Sequence, residues 1–120
     1  MKVVKTGDIQ KIPASGALFT PGVQRQVVFE PDDSQTFNFG IVNFGAHSRN
    51  KFHKHSTDQI LVITDGTGVV ATDTEQRTVT AGDVILFRAG ENHWHGAPGD
   101  TAMSHIAITG KGSQTEQTEA

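Results

Sequence analysis

Residues 53–66 read His-Lys-His-Ser-Thr-Asp-Gln-Ile-Leu-Val-Ile-Thr-Asp-Gly, and this stretch decides the fold. A short apolar run bounded by polar residues and closed by Asp65-Gly66 is typical of a β-strand that ends in a turn. Residues i and i+2 of a strand point to the same face of a sheet. We therefore expect His53 and His55 to project together from one side of a sheet.

Similar short runs continue on both sides of this stretch at even spacing. No window shows a sustained apolar period of 3.6 residues over the length of a helix. The pattern predicts an all-β domain, either an antiparallel barrel or a sandwich. The predicted strands cover residues 36–44, 59–64, 68–72, 76–80, 84–87, 93–97 and 102–109.

The two ends of the chain are less regular. Residues 3–4 and 27–29 are candidate outer strands, and residues 13–22 are expected to form a loop. Residues 110–120 are polar and nearly devoid of core-forming side chains. We therefore predict a single domain over residues 1–109 and a polar C-terminal tail over residues 110–120 with little role in the fold.

Composition excludes several classes of function. Ten basic against thirteen acidic residues give a formal net charge of −3, so we expect no nucleic-acid partner and no anionic membrane partner. The absence of cysteine excludes disulfides, thiolate chemistry and cysteine-based metal sites. No apolar stretch has the length of a membrane span, and residues 1–12 lack the apolar region of a signal peptide. These features favour a soluble, cytoplasmic protein.

Four of the six histidines lie in two tight clusters. His53 and His55 form the first cluster, and His93 and His95 form the second. If strand pairing brings His93 to the first pair, the imidazoles and the nearby Gln59 amide could bind zinc, manganese, iron or nickel. Spacing alone leaves an alternative open, because an isolated histidine pair is often a surface feature.

At these residues the chain resembles the cupin family. The first cupin motif contains His-x-His, three or four residues, a glutamate, six residues and a glycine. It stands here as His53, His55, Gln59 and Gly66, with glutamine in place of the usual glutamate. The spacing between its members is retained.

The second cupin motif is matched by Gly82-Asp83, Gly90 and His93. The resemblance implies a small jelly-roll type β-barrel that carries one divalent metal ion per chain, with manganese, iron, nickel and zinc as the candidates. The implied metal ligands are His53, His55, Gln59 and His93.

Glutamine at position 59 changes the charge of the implied site. Because Gln59 is neutral, a bound dication keeps its full charge of +2. This favours Lewis-acid over redox chemistry and also favours an anionic ligand. We therefore expect a small-molecule ligand, with an anionic one favoured.

His105 is the candidate catalytic base. In residues 102–109, alternation places Met103, His105 and Ala107 on one face. If that face points inward, His105 reaches the cavity as an imidazole that binds no metal, and its ordinary pKa suits proton transfer. A hydrogen-bonded interior histidine is the alternative interpretation.

Residues 93–97 and 101–108 are similar to a narrower group of small bacterial cupins. The group contains manganese-dependent cupin hydroxynitrile lyases and relatives of carboxymuconolactone decarboxylase-associated cupins. The resemblance implies that His105 is the general base and that Gly40 and Val42 line the substrate pocket. Asn50 stands where the lyases have a hydroxyl residue. We expect the pocket to be formed by Gly40, Val42, Asn50, Phe87 and His95.

Three functions remain open at this stage. Lyase or isomerase chemistry on a small oxygenated compound fits the residues best, with a metal-dependent dioxygenase as the enzymatic alternative. A non-catalytic barrel that binds a small ligand is the third possibility. Small cupins of this kind commonly pair through outer strands, so we expect a homodimer, with residues 3–12 as the candidate exchanged segment.

Overall fold

The computed structural model describes all 120 residues and is built almost wholly of antiparallel β-strands. It confirms the predicted all-β, jelly-roll type barrel. One short 3-10 helix covers Thr6–Asp8. The strands are β1 (Ile12–Pro13), β2 (Val23–Val27), β3 (Phe37–Phe44), β4 (Ser48–Arg49), β5 (His53–His55), β6 (Gln59–Thr72), β7 (Gln76–Thr80), β8 (Val84–Phe87), β9 (His93–Ala97), β10 (Met103–Gly110) and β11 (Thr115–Gln117).

The long strand β6 joins the two halves of the barrel. Its first part pairs with β8 and β10, and its second part pairs with β7 and β9. The turn predicted at Asp65-Gly66 is therefore wrong, since both residues lie inside a continuous strand. Gly66 has φ of +76°, and the pairing of β6 with β10 shifts register between Ser104 and His105. A glycine in the left-handed region lets the strand bend here without ending.

Strand β10 lies between β3 and β6 and presents one apolar face to the interior. Met103 and His105 are buried on this face, as the alternation predicts. They face a core that is assembled from both halves of the barrel. Its buried apolar residues are Val23, Phe44, Leu61, Ile63, Val70, Val79, Phe87, Ala97 and Met103.

The N-terminal region differs from the prediction in two places. Residues 3–4 form no strand. The outer strands are β1 and β2, and only Val27 of the predicted residues 27–29 lies in one of them. Residues 12–13 pair with β2 of the same chain. Whether residues 3–12 exchange between protomers stays a prediction.

The expectation that residues 110–120 have little role in the fold is wrong. Strand β11 pairs with β5, opposite the first histidine cluster. The Glu119 carboxylate accepts the Phe52 N–H at 2.9 Å and forms an ion pair with Arg49 at 2.7 Å. This strand forms although its side chains are polar. Main-chain hydrogen bonds and charge pairs hold it in place, so it does not need to bury apolar side chains.

No helix in the structure has the length and apolar character that a membrane crossing requires.

Candidate metal centre

Two neighbouring strands bring three histidines to one point inside the barrel. β5 carries His53 and His55, and β9 carries His93, which is the register partner of His53. One ring nitrogen from each histidine lies within 4.8 Å of the other two. The predicted convergence of His93 on the first pair is therefore confirmed, and the arrangement could hold a metal ion.

Backbone carbonyls fix the protons of the two most buried rings. His53 Nδ1 lies 2.6 Å from the Lys51 carbonyl oxygen, and His93 Nδ1 lies 2.8 Å from the Glu91 carbonyl oxygen. A carbonyl only accepts, so each Nδ1 carries the proton and donates it. Each Nε2 then keeps its lone pair, which is the state that a metal ligand needs.

His55 completes the set from the surface side. Its Nδ1 lies 2.9 Å from the Thr115 hydroxyl of β11, and its Nε2 is buried without a hydrogen-bond partner. An unpartnered buried nitrogen is costly unless a ligand satisfies it. In all three rings Nδ1 has a hydrogen-bond partner, so Nε2 is left to bind a divalent metal ion.

Gln59 lies beside this cluster, as predicted. It is the first residue of β6, and its buried side chain places Oε1 3.0 Å from His93 Nε2. With the His93 proton on Nδ1, both of these atoms are acceptors. A cation that contacts both would satisfy the two lone pairs, so the amide oxygen suits the role of a fourth ligand.

Burial keeps the cluster uncharged at neutral pH. It lowers the pKa of His53 to about 4 and that of His93 to about 3, because both rings lose the water that would stabilise their charged form. The pKa of His55 is lowered for the same reason. Neutral imidazoles are the form that binds metal ions.

A cleft of about 450 Å³ leads to the cluster. Gly40 and Val42 line it, as predicted, together with His55, Gln59 and Ala107. The cleft therefore offers a small molecule direct access to two of the candidate ligands.

Three residues expected in the pocket lining lie behind it. Phe87 is buried and stacks on His93 with ring centroids 3.9 Å apart. Asn50 and His95 are also buried and do not line the cleft. Asn50 instead contacts His95, whose main-chain N–H donates to the Asn50 amide oxygen at 2.8 Å.

His95 lies between His105 and the histidine cluster formed by His53, His55 and His93. Its ring centroid lies 5.7 Å from those of His53 and His93 and 4.7 Å from that of His105. His105 is fully buried at 0% exposure, and this burial lowers its pKa to about 4. The pKa of His95 lies well below its ordinary value, mainly because of burial.

The groups that orient the three histidines could not be predicted from the sequence. Lys51 and Glu91 act through main-chain carbonyls, which leave no signal in a sequence. Thr115 lies in a segment without apolar alternation, so nothing marked it as a neighbour of His55.

Comparison with known proteins identifies the family of this chain. The sequence matches the Cupin_2 cupin-domain family over residues 40–109. It is 31% identical over 109 residues to an (R)-mandelonitrile lyase from Granulicella tundricola, and the match covers 90% of this chain and 83% of that protein.

Two solved structures show the same architecture. A cupin-like protein from Thermotoga maritima superposes with a TM-score of 0.83 at 25% identity, covering 100% of this chain and 90% of that one. The polyketide cyclase RemF from Streptomyces resistomycificus has a TM-score of 0.89 at 13% identity, covering 100% of this chain and 87% of that one. The second likeness concerns the fold alone.

Proposed function

The chain belongs to the cupin family, and on this premise we propose that it is a lyase that uses one divalent metal ion and a histidine base on a small oxygenated compound. Cyanohydrins are the first substrate class to test, since an (R)-mandelonitrile lyase is 31% identical. The observation that carries the proposal is the convergence of three neutral imidazoles beside the Gln59 amide and an open cleft.

His53, His55, His93 and Gln59 would hold the metal. Manganese, iron, nickel and zinc are all compatible with imidazole and amide ligands. Bound there, the ion would act as a Lewis acid and would favour an anionic leaving group. Because the four side chains are neutral, they would not offset the positive charge that attracts an anion.

His105 is the proposed proton acceptor. Burial lowers its pKa to about 4, so the imidazole is unprotonated at pH 7 but is a weaker base than the ordinary histidine expected from the sequence. In cyanohydrin cleavage it would take the hydroxyl proton while the carbon–oxygen bond becomes a carbonyl and cyanide leaves with the electron pair. The proton would then pass to cyanide, which restores the neutral ring.

The position of His105 sets the route of the substrate. Val42 and Ala107 line the cleft, and both neighbour His105 on the inward face of the sheet. The inner end of the cleft is therefore next to the base. Small residues at Gly40 and Ala107 leave space for a compact substrate.

Metal analysis combined with a His105→Ala variant tests the proposal. We expect one divalent ion per chain in both proteins, and at least about 100-fold slower cyanohydrin cleavage in the variant. Ser104→Ala is the matched control, because Ser104 lies on the outer face of the same strand and bonds Asn43. Loss of metal in His105→Ala would instead make this histidine structural.

One observation favours non-catalytic ligand binding as the second candidate. His105 has no exposed surface, so the substrate must displace part of its surroundings to reach it. Two results together would support this candidate. The purified protein would bind metal and small anions but cleave no cyanohydrin, and its iron-loaded form would consume no oxygen with candidate substrates. Oxygen uptake would point to the dioxygenase alternative.

We also propose a homodimer built on the outer face of β6 and β8. Val84 and Leu86 are 65% and 54% exposed, and Leu86 is the register partner of the exposed Ile60. An apolar patch of this kind on adjacent strands can pair with its own copy about a two-fold axis. Light scattering should give twice the chain mass, and Leu86→Lys should give the monomer mass.

The remaining expectations about the cellular context stay predictions. They are a small ligand, with an anionic one favoured, no nucleic-acid or membrane partner, and a cytoplasmic location.

A further inference from the structure

Arg25 lies on the inner face of the sheet, in one row with the proposed base. It is the register partner of Val42, and Val42 is the register partner of His105. Residues directly opposite each other on paired strands point to the same face. Since β3 lies between β2 and β10, the main chains of Arg25 and His105 are two strand spacings apart, about 10 Å.

The residue that follows Arg25 fixes the direction of its side chain. Gln26 is buried, and its Nε2 donates to the carbonyl oxygens of Thr6 and Ile9 at 3.1 and 3.0 Å. These contacts hold the Gln26 side chain on the outer face, next to the N-terminal segment. Because successive residues of a strand point to opposite faces, Arg25 is held on the inner face.

Arg25 lines the cleft that leads to the candidate metal site, and its charge is unpaired. None of the six ion pairs in the structure includes Arg25. A guanidinium is always charged at neutral pH and presents its N–H donors as a planar fork that matches a carboxylate. The Arg25 side chain can therefore receive an anionic group of a ligand that occupies the cleft.

The charges around the cleft also favour an anion. Arg25 and Glu30 are its only charged lining residues, and their formal charges cancel. His55 and Gln59, which line the cleft from the candidate metal site, carry no negative charge that could offset a dication. A metal-loaded cleft therefore has an excess of positive charge.

A second lining residue is also without a partner. Ser113 lines the same cleft, and its Oγ atom is buried and makes no hydrogen bond. A buried hydroxyl in this state has a free-energy cost unless a ligand or water satisfies it. The cleft thus offers a further donor to a ligand that is rich in oxygen atoms.

We propose that Arg25 binds a carboxylate of the substrate, so that the protein selects small hydroxy compounds that carry a carboxylate over neutral ones. The inference rests on the proposed function and narrows its substrate class. The reacting hydroxyl would lie near the metal and His105, and the carboxylate would lie at Arg25. Because the row from Arg25 to His105 spans only two strand spacings, the two groups are separated by a short carbon chain.

Calorimetric titration of the zinc-loaded protein with levulinate and with methyl levulinate tests the proposal, since the two probes differ only in the charged group. At an ionic strength of about 0.15 M, we expect levulinate to bind about tenfold more tightly or better, the gain typical of a charge-assisted hydrogen bond. Equal affinity for the two probes in the unmodified protein, or no measurable binding of levulinate, would overturn the proposal.

Arg25→Gln should bind the two probes with affinities that differ by less than about twofold, because it removes the charge and the fork. If this variant keeps the full preference for levulinate, the carboxylate binds the metal directly and the proposal is wrong. Arg25→Lys keeps the charge without the fork and should give an intermediate preference.

Arg77→Gln is the matched control, because it removes the same charge at a distance from the cleft. Arg77 is exposed on β7, pairs with Glu75 at 3.3 Å and does not line the cleft. This variant should keep the preference of the unmodified protein. An equal loss of preference in Arg77→Gln and Arg25→Gln would reduce the effect to the net charge of the chain and would contradict a site at Arg25.

Cleavage assays separate this inference from the proposed function. With the cyanohydrins of levulinate and of methyl levulinate as substrates, Arg25→Gln should lower kcat/KM for the acid about tenfold or more and leave kcat/KM for the ester unchanged. Unchanged kcat/KM for the acid would overturn the role of Arg25 in selecting the substrate. If levulinate binds as expected and neither cyanohydrin is cleaved, the proposed function fails and the carboxylate site at Arg25 stands.

Discussion

Gln59 determines the charge of the candidate metal site at the scale of a single residue. Its amide oxygen lies 3.0 Å from His93 Nε2, and the three neighbouring imidazoles are neutral. Since none of these groups carries a charge, a bound dication keeps its full positive charge in a poorly solvated interior. Electrostatic interactions are strong in such an interior, so this charge is expected to dominate ligand choice.

We expect Gln59→Glu to weaken anion binding to the metal-loaded protein by about tenfold or more, because a carboxylate beside the metal offsets part of its charge. Titration of zinc-loaded protein with azide measures the affinity. Gln76→Glu is the control, since Gln76 is exposed on β7 and does not line the cleft. Equal azide affinity in the Gln59→Glu and unmodified proteins would remove the charge argument.

Some features of this site could be predicted from the sequence and others could not. The spacing of His53 and His55 was sufficient to place both on one face, because strand alternation is a local property. The hydrogen bonds from Nδ1 to the carbonyls of Lys51 and Glu91 could not be predicted, because every residue type carries the same carbonyl group.

At the scale of elements, strand β11 connects the C-terminal segment to the candidate metal site. It pairs residue by residue with β5, and Thr115 lies opposite His55. The Thr115 hydroxyl is the partner of His55 Nδ1. This strand therefore orients the most exposed of the three histidines.

We expect Thr115→Val to lower zinc affinity by about 10-fold or more, because a ligand whose second nitrogen loses its partner is less well oriented. Competition with a zinc chelator measures the change. Thr118→Val is the control on the same segment, since the Thr118 hydroxyl bonds Asn92 rather than a candidate ligand. Equal zinc affinity in both variants would show that β11 does not orient His55.

The bend of β6 gives a second prediction about an element. A Cβ atom on Gly66 would lie 2.0 Å from the Ala102 carbonyl oxygen, and φ is +76°. Gly66→Ala should therefore lower the free energy of unfolding by more than about 1 kcal/mol and the melting temperature by about 4 °C or more. In Gly99→Ala the added Cβ meets nothing within 4 Å, and we expect no comparable loss in thermal melts.

These two elements also show where prediction from sequence stops. Asp65-Gly66 favours a turn locally, yet the pairing of β6 with strands on both sides of the bend keeps it extended. Residues 115–117 have no apolar alternation, and their strand forms because β5 offers a free edge. In both cases partners that are distant in sequence decide the structure, whereas the strands with clear alternation were predicted from local pattern.

At the scale of the whole molecule, five of the six histidines lie together in the barrel interior. Each of His53, His55, His93, His95 and His105 has a lowered pKa, with burial as the main cause. A core of this kind is less stable than an apolar one, because apolar residues in the same places would avoid the cost of desolvated polar rings. The cost depends on pH, since the folded protein resists protonation at these positions.

We therefore expect the metal-free protein to lose stability steeply as pH falls from about 6.5 to 4. In the unfolded chain the histidines take up protons near their ordinary pKa of about 6.5, whereas in the folded protein the pKa values of His53 and His105 are about 4. Between these values the unfolded state binds more protons, so stability decreases with falling pH. Each such proton costs about 1.4 kcal/mol per pH unit.

Thermal melts of EDTA-treated protein at pH 8, 7, 6 and 5 measure this loss. The melting temperature should be nearly constant from pH 8 to 7 and should fall increasingly below pH 6.5, because several protons are taken up together on unfolding. His105→Gln should reduce the slope, since it removes one buried ring, whereas His47→Gln removes an exposed ring and should leave the slope unchanged. A melting temperature that stays constant from pH 7 to 5 would show that the buried imidazoles accept protons in the folded state, and the neutral ligand set on which the metal site depends would then be lost.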